Sequence, residues 1–471
     1  MMALNDLKAS PGREQEFQAL LDKLYKDYVD ELDLMVEEAA DEIETAVERG
    51  LVDRRQIVTD WTQTAAQRAD DYYQAVREAW KEYAGVDMPP LDSYGLVDVN
   101  SALWETQSQL VNERYIGMRY QDAINGHTKY GVTMQDLWPS MENIDDAQQF
   151  IADMMRNSAR LQTMHDMRHD PTRPRWARVP SGAKTCAFCM MLASRGFAYL
   201  SDETAGRGGS RYHADCDCKV IPSWGRQTLK GYDVERYQTW YQDGVAGAGA
   251  GAGENLILKV MRRAHPGDMT DGVFPKPDIA WSTKQIMPKQ YELKRLSDPT
   301  VAKSGDKYSS AEKLKVVRGW TDGTFRSIND ALFGNIPHTS EIDQRIDMMD
   351  EILRDHDTMT KFTVDRLFNI KTFNITSSSQ VTDLRPGSVY GHAGYMATSL
   401  IEGGIKAVKD DGERIAARIL VPPGSHAVYL QPSSKARTRQ EEVLLPRDSV
   451  LQYDSYSVMS DGRIMLYLRL V

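Results

Sequence analysis

FTVDR at 362–366, GYMATS at 394–399 and RQEEVLLP at 439–446 appear in that order in the last quarter of the chain. In bare chemistry they give an arginine, a hydroxyl pair on a predicted strand, and a carboxylate entering an apolar strand. Arg366 offers a planar fork that pairs with phosphate oxygens through two parallel hydrogen bonds. Glu442 offers the negative charge that stabilises an oxocarbenium-like sugar carbon, as carboxylates do in glycoside hydrolysis. Thr398 and Ser399 supply hydroxyls to orient the carboxylate and the substrate. Together they suit cleavage of a bond at a sugar carbon beside a diphosphate. Order and spacing carry this reading. Taken singly, Arg366 reads as a surface ion-pair partner, Glu442 as an edge-strand charge that blocks sheet aggregation, and Thr398 with Ser399 as a plain strand end.

On these residues the chain from about Tyr308 to Val471 resembles the arginine–serine–glutamate class of mono-ADP-ribosyltransferases, the fold of the clostridial actin- and Rho-modifying toxins. The run VVRGWTDGTFRSINDALFGN (316–335) is similar to that family's opening helix, tight turn and short second helix. GYMATS stands where the family has aromatic-x-Ser-Thr-Ser, and RQEEVLLP where it has Gln/Glu-x-Glu before an apolar strand. The resemblance implies a mixed α/β fold with NAD as substrate. It implies that Arg366 binds NAD, that Glu442 is the catalytic glutamate, and that Tyr395, Thr398 and Ser399 line the NAD pocket. Gln440 would meet the acceptor, and a Gln there resembles the asparagine-modifying branch. The chain departs from the family at Ala397, where the first serine of the triplet stands, and at Arg437, where many members carry an aromatic residue. His392, close to the triplet, reads as a solvated loop histidine.

At 471 residues the chain exceeds what one hydrophobic core serves, which predicts two or three domains. A hydrophobic share of 41% and a charged share of 27% are those of ordinary globular material. The net charge of −11 argues against a dedicated nucleic-acid binder, although KARTR at 435–439 is a local basic patch. No apolar run approaches the ~18 residues of a membrane span. The start, MMALNDLKASPGREQEF, has no apolar core of a signal peptide, so delivery by some route other than the usual secretory signal is expected.

From Arg13 to about Ala84 the pattern is helical. Phe17, Leu21, Leu24, Tyr28, Leu32 and Met35 form one stripe, and Trp61, Ala65, Tyr72, Val76 and Tyr83 a second. MPPLDSYG (88–95) breaks the helix with its paired prolines. Asn100 is a candidate N-cap before Leu103 and Leu110, and a further helix spans about 146–168. GVAGAGAGAG (244–253) reads as a flexible tether without side chains to pack. Residues 255–300 read as a connector with little core and one short helix near Leu256 to Arg263. RIAARILVP (414–422), HAVYL (426–430), EVLLP (442–446) and RIMLYLRL (463–470) read as strands.

All four cysteines fall between 186 and 218: Cys186-x2-Cys189, then His213-x2-Cys216-x-Cys218. Clustered thiols in a chain without a signal peptide favour metal over disulfides, and two paired knuckles suit tetrahedral zinc. Five ligand types for four places leave the choice open. Buried cysteines without a metal are the alternative. The segment WARVPSGAKTCAFCMMLASRGFAYLSDETAG…YHADCDCKVIPSW resembles the C-terminal part of the MuF-type minor head proteins of tailed bacteriophages. That resemblance covers about 100–225. It implies a virion component at or near the portal, helping head assembly, with a fused effector domain.

The expected fold is therefore α+β and multidomain: a helical region (1–168), a small cysteine/histidine β element (169–225), a connector (226–300), and a mixed α/β transferase domain (301–471). The expected function is a phage minor capsid protein whose effector moves ADP-ribose from NAD to a host protein. It would sit in the virion and reach the host bacterial cytoplasm on delivery. Portal and capsid proteins would be partners. A virion protein with an inactive transferase domain, and a polymorphic toxin or NAD glycohydrolase, are the alternatives.

Overall fold

The computed structural model describes residues 6–51, 53–91, 94–108, 119–128, 131–182, 184–200, 216–272, 285–298, 305–403, 413–433, 441–459 and 463–471. The chain divides into two compact units, Met1–Gln238 and Thr239–Val471. No helix among the described residues is long and apolar enough to cross a membrane.

The first unit is built on α1 (Glu14–Glu48), α2 (Arg54–Ala84), α3 (Val99–Ser108), α4 (Tyr120–Ile124) and α5 (Ile144–His169). α1, α2 and α5 pack on one another, α1 and α2 largely through the stripes their periodicity predicts, with Trp61 half-buried at the margin. Tyr28 stacks on Tyr72 at 4.3 Å, and Phe17 meets Trp80 edge-on at 4.8 Å. In α1 the inner positions go to Tyr25 and Val36, while Leu24 and Met35 lie at the margin. Gly85, in the left-handed region at φ 64°, ends α2 ahead of the prolines. Asn100 lies inside α3 and is no cap; Asp98 accepts its backbone N–H at 3.1 Å. Asn143 caps α5 by accepting from Asp146 N. β1 (Arg175–Val179) and β2 (Lys219–Ser223) form an antiparallel pair around α6 (Ala187–Ala193). The expected boundary at 168/169 is not a unit boundary. The buried Arg160 of α5 donates from Nε to the Cys218 carbonyl at 2.7 Å, tying the helices to the cysteine element.

α7 (Val234–Ala248) runs through the division between units, and α8 (Glu254–Ala264), α9 (Gln290–Leu296), α10 (Ser310–Gly319), α11 (Phe325–Leu332) and α12 (Ser340–Arg354) follow. The strands are β3 (Phe362–Asn369), β4 (Val389–His392), β5 (Met396–Ser399), β6 (Arg414–Val421), β7 (Val428–Tyr429), β8 (Glu442–Leu445), β9 (Ser449–Val458) and β10 (Ile464–Leu470). They form one sheet in the order β4-β9-β10-β6-β3-β5-β8-β7, with β10–β6 the parallel pair. One apolar core draws on strands along the whole sheet, including Tyr390, Leu451, Leu466, Ile419, Val364, Met396 and Val443. α10 to α12 cover the other face of β5, β8 and β7, burying Trp320, Ile346, Ile352, Tyr395 and Leu444.

The Gly/Ala run is a packed element, not a tether. It is helical to Ala248, and a Cβ on Gly247 would stand 2.7 Å from both Val260 Cγ1 and the Val389 carbonyl. Ala248, Leu256, Val260, Val389, Ala393 and Val450 form one buried cluster. The absence of side chains lets backbones approach; it does not free the chain. Residues 285–296 are likewise core material rather than connector. Ile286 exchanges hydrogen bonds with Thr363, Glu292 accepts from Met359 N at 2.7 Å, and Leu296 is fully buried.

Candidate functional site

β3 and β5 touch through a single pair, Asp365↔Ser399, and then part. Arg366 stands where they part, and its NH1 donates to the Ala397 carbonyl. β5 continues along β8 in the register Ser399↔Glu442, Thr398↔Val443 and Ala397↔Leu444. Since strand side chains alternate, Ala397, Ser399, Glu442 and Leu444 share one face. Thr398 shares the other with Met396 and Val443. Glu441, which precedes β8, is held at φ 48°. Its N–H donates to Gln431 Oε1 at 2.9 Å and its carboxylate accepts from the Tyr429 hydroxyl. Leu430 N donates to the Glu442 carbonyl at 2.9 Å.

Glu442 is buried, and Oε1 accepts from the Trp320 indole N–H at 3.0 Å. Burial raises its pKa, while the Trp320 hydrogen bond and the Arg366 charge pull it back. Arg366 is half-buried, and burial depresses its pKa to about 10, still charged at neutral pH. Among the described residues its Nε is buried with no hydrogen-bond partner. A guanidinium left with a spare buried donor is suited to an anionic ligand.

Other expected site residues have different employment. Thr398 Oγ1 donates to the Val443 carbonyl at 2.5 Å on the face away from Glu442, a bond that ties β5 to β8. Tyr395 is fully buried, its hydroxyl donating to Asp350 Oδ1 at 2.6 Å with Ile346 O 2.9 Å away. Its ring meets Trp320 edge-on at 5.6 Å and braces it from inside the core. His392 is no solvated loop residue: it ends β4, buried, with Nδ1 donating to Gly394 O at 2.8 Å. Burial and the nearby Arg366 hold it neutral, with a pKa of about 3. Ser399 is fully buried, and Oγ accepts from Ile401 N at 2.9 Å. Gln440 and Arg437 lie outside the described residues.

Sequence reasoning missed two features. Trp320 is one. The other is the buried pair of Asp365 and Arg418, two bonds of 2.9 Å, in which Asp365 also accepts from Gly403 N and Arg418 donates to Glu402. This pair lies beside Arg366 in sequence and ties down the chain that leaves Ser399. A charged residue inside each of two apolar strand runs, FTVDRLF and RIAARILV, was the available signal.

In the first unit, the sulfurs of Cys189, Cys216 and Cys218 lie within 4.8 Å of one another, with Cys189 and Cys216 at 3.5 Å. Cys186 caps α6, its Sγ accepting from Cys189 N at 3.3 Å. All four thiols are buried and none is in a disulfide. Zinc–thiolate bonds of ~2.3 Å put sulfurs about 3.8 Å apart in a tetrahedron, so the spacing fits that ion. Arg178 NH2 sits 3.6 Å from Cys216 Sγ, a positive charge suited to thiolates. His213 lies outside the described residues.

Residues 8–244 match the family model described as VG15 protein, and residues 279–469 match that of the ADP-ribosyltransferase exoenzyme. The Gene 15 protein of Mycobacterium phage L5 is 31% identical, over 18% of this chain and 42% of that one. The Gene 15 protein of Mycobacterium phage D29 is 30% identical, over 18% and 43%. The chain thus spans about two fifths of the length of these relatives. Among solved structures, Plx2a, an ADP-ribosyltransferase toxin from Paenibacillus larvae, is 21% identical at a TM-score of 0.30, covering 34% of this chain and 86% of that one. C3stau2 from S. aureus with NAD is 18% identical at 0.31, covering 40% and 99%.

Proposed function

The chain belongs to the VG15 protein family through residues 8–244, and from that premise we propose a phage particle component whose second unit transfers ADP-ribose from NAD to a host protein. The observation that supports this best is the meeting of Arg366, Ser399 and Glu442 where β3, β5 and β8 adjoin. The NAD diphosphate would take the free Nε side of the Arg366 guanidinium through charge-assisted hydrogen bonds. The bond from ribose C1 to the nicotinamide nitrogen would break, its electron pair leaving with nicotinamide. Glu442 would stabilise the ribosyl cation left behind, an electrostatic role that is strongest in a dry, preorganised pocket. An acceptor oriented by Gln440 would then attack that carbon and lose its proton.

The decisive experiment is incubation of host lysate with labelled NAD and the full chain, with Glu442→Gln as control. Label on a protein, lost in the variant, is the expected result. Free ADP-ribose alone would make the protein an NAD glycohydrolase, and no nicotinamide release would overturn the enzyme reading.

The virion role is supported by the resemblance of the cysteine segment to MuF-type proteins and by similarity to phage gene products. It predicts a few copies per purified particle by quantitative mass spectrometry. We assign the cysteine cluster one structural zinc, whose apparent binding free energy would be roughly 10–16 kcal/mol by analogy with zinc-finger peptides. Elemental analysis should give one zinc per chain, lost in Cys189→Ser. Protein purified without chelators and free of zinc would refute it.

A further inference from the structure

Position 397 lacks the hydroxyl that the triplet pattern would place on the Glu442 face, yet the carboxylate is not short of a donor. Trp320 Nε1 donates to Glu442 Oε1 at 3.0 Å, and among the described residues no other side chain is seen to donate to that carboxylate. We propose that Trp320 is the positioning residue for Glu442, its indole N–H doing the work of the hydroxyl absent from position 397. The proposal rests on the transferase reading of Glu442.

Three features make this contact a built one. Trp320 is 2% exposed, so its N–H must find a partner inside the protein, and Glu442 is that partner. The ring is fixed by Tyr395 edge-on at 5.6 Å and by Phe325 at 6.1 Å. Tyr395 is itself locked by Asp350 and by Asn329, which brackets its backbone N–H and carbonyl at 3.0 Å each. Finally, Trp320 stands at the kink between α10 and α11, where Gly323 leaves helical geometry at φ 114° and turns the chain. An indole is donor-only. It therefore favours the ionised carboxylate, fixes one oxygen, and leaves the other for the reacting centre.

Position 397 can test this because Ala397 shares a face with Glu442, whose cross-strand partner is Ser399. A side chain at 397 is a diagonal neighbour of Glu442, within reach of a longer side chain. Trp320→Phe keeps the ring packing and removes the N–H. The expected result is a kcat about tenfold lower with KM for NAD little changed. The acid limb of the kcat profile, which reports Glu442, should move up by about one pH unit, the worth of one hydrogen bond. Trp320→Phe with Ala397→Ser should return both towards wild type. In ¹⁵N-tryptophan-labelled wild type, the Trp320 indole signal should titrate with Glu442, and Glu442→Gln should abolish that titration. An unmoved acid limb in Trp320→Phe, or an indole signal indifferent to Glu442, would overturn the proposal. If wild type released no nicotinamide while the indole signal still titrated, the transferase reading would fall and the hydrogen bond would stand.

Discussion

A carboxylate that must meet a developing cation has to be both dry and ionised, and Glu442 is held between these demands. Burial raises its pKa above the unfolded value, against the Trp320 hydrogen bond and the Arg366 charge. A raised carboxylate contributes stability that is fully present below the unfolded pKa and is lost as pH rises through the folded one. Glu442→Gln should therefore melt higher than wild type at pH 7, with the gap closing below about pH 4; calorimetry across pH checks this. The same variant should lose about 10²-fold or more in kcat while keeping NAD affinity. Arg366→Ala should instead weaken NAD binding about tenfold or more, the worth of a charge-assisted hydrogen bond, as read by calorimetric titration. The drawing together of Arg366, Ser399 and Glu442 was legible because short local patterns carry them. The face of Thr398 is legible too: a period of two puts 397 and 399 on one face and 398 on the other. Trp320 was not legible, because its partner lies 122 residues away and it stands at a kink between two helices.

Helices with a continuous apolar stripe were readable as elements because the stripe is both the local signal and the packing surface. The Gly/Ala run was not, because its packing is done by backbone. Gly247 sits where Val260 and the Val389 carbonyl close in, and Gly391 where Leu256 and Ala248 do. This gives a test of sign. In an exposed helix Gly→Ala stabilises by about 1 kcal/mol, so a loose run would gain from Gly247→Ala. In the packed arrangement the added methyl meets atoms at 2.7 Å, and a loss of about 1–3 kcal/mol is expected from overpacking. Urea denaturation followed by circular dichroism separates the two outcomes. β9 escaped notice for a related reason. Its outer half, from Asp454 to Val458, carries half-exposed and exposed residues, so apolar content is low where the pairing with β10 does the holding.

Composition placed the break in the chain too late. Low side-chain content around 244–253 and scattered prolines to 300 suggested a linker, which would let residues 301–471 fold alone. The packing argues for a unit that begins at Thr239. α8 covers Val389 and Val450 on β4 and β9, while Leu296 enters the main core and Ile286 pairs with Thr363 at the start of β3. Cutting at 301 would strip all three contacts, expose the apolar surface of β4 and β9, and leave Thr363 without its partner. Exposed apolar surface of this kind drives association. A fragment of 239–471 should therefore be monomeric and melt in one cooperative transition, and 301–471 should aggregate or melt well below it. Light scattering and differential scanning calorimetry on the two fragments decide the matter. If the shorter one proved as stable and as monomeric as the longer, the segment from 239 to 300 would be dispensable cladding rather than part of the fold. The same comparison bears on function, because β3 carries Arg366 and is anchored near its start, at Thr363, by residue 286. NAD binding should survive in 239–471 and fail in 301–471.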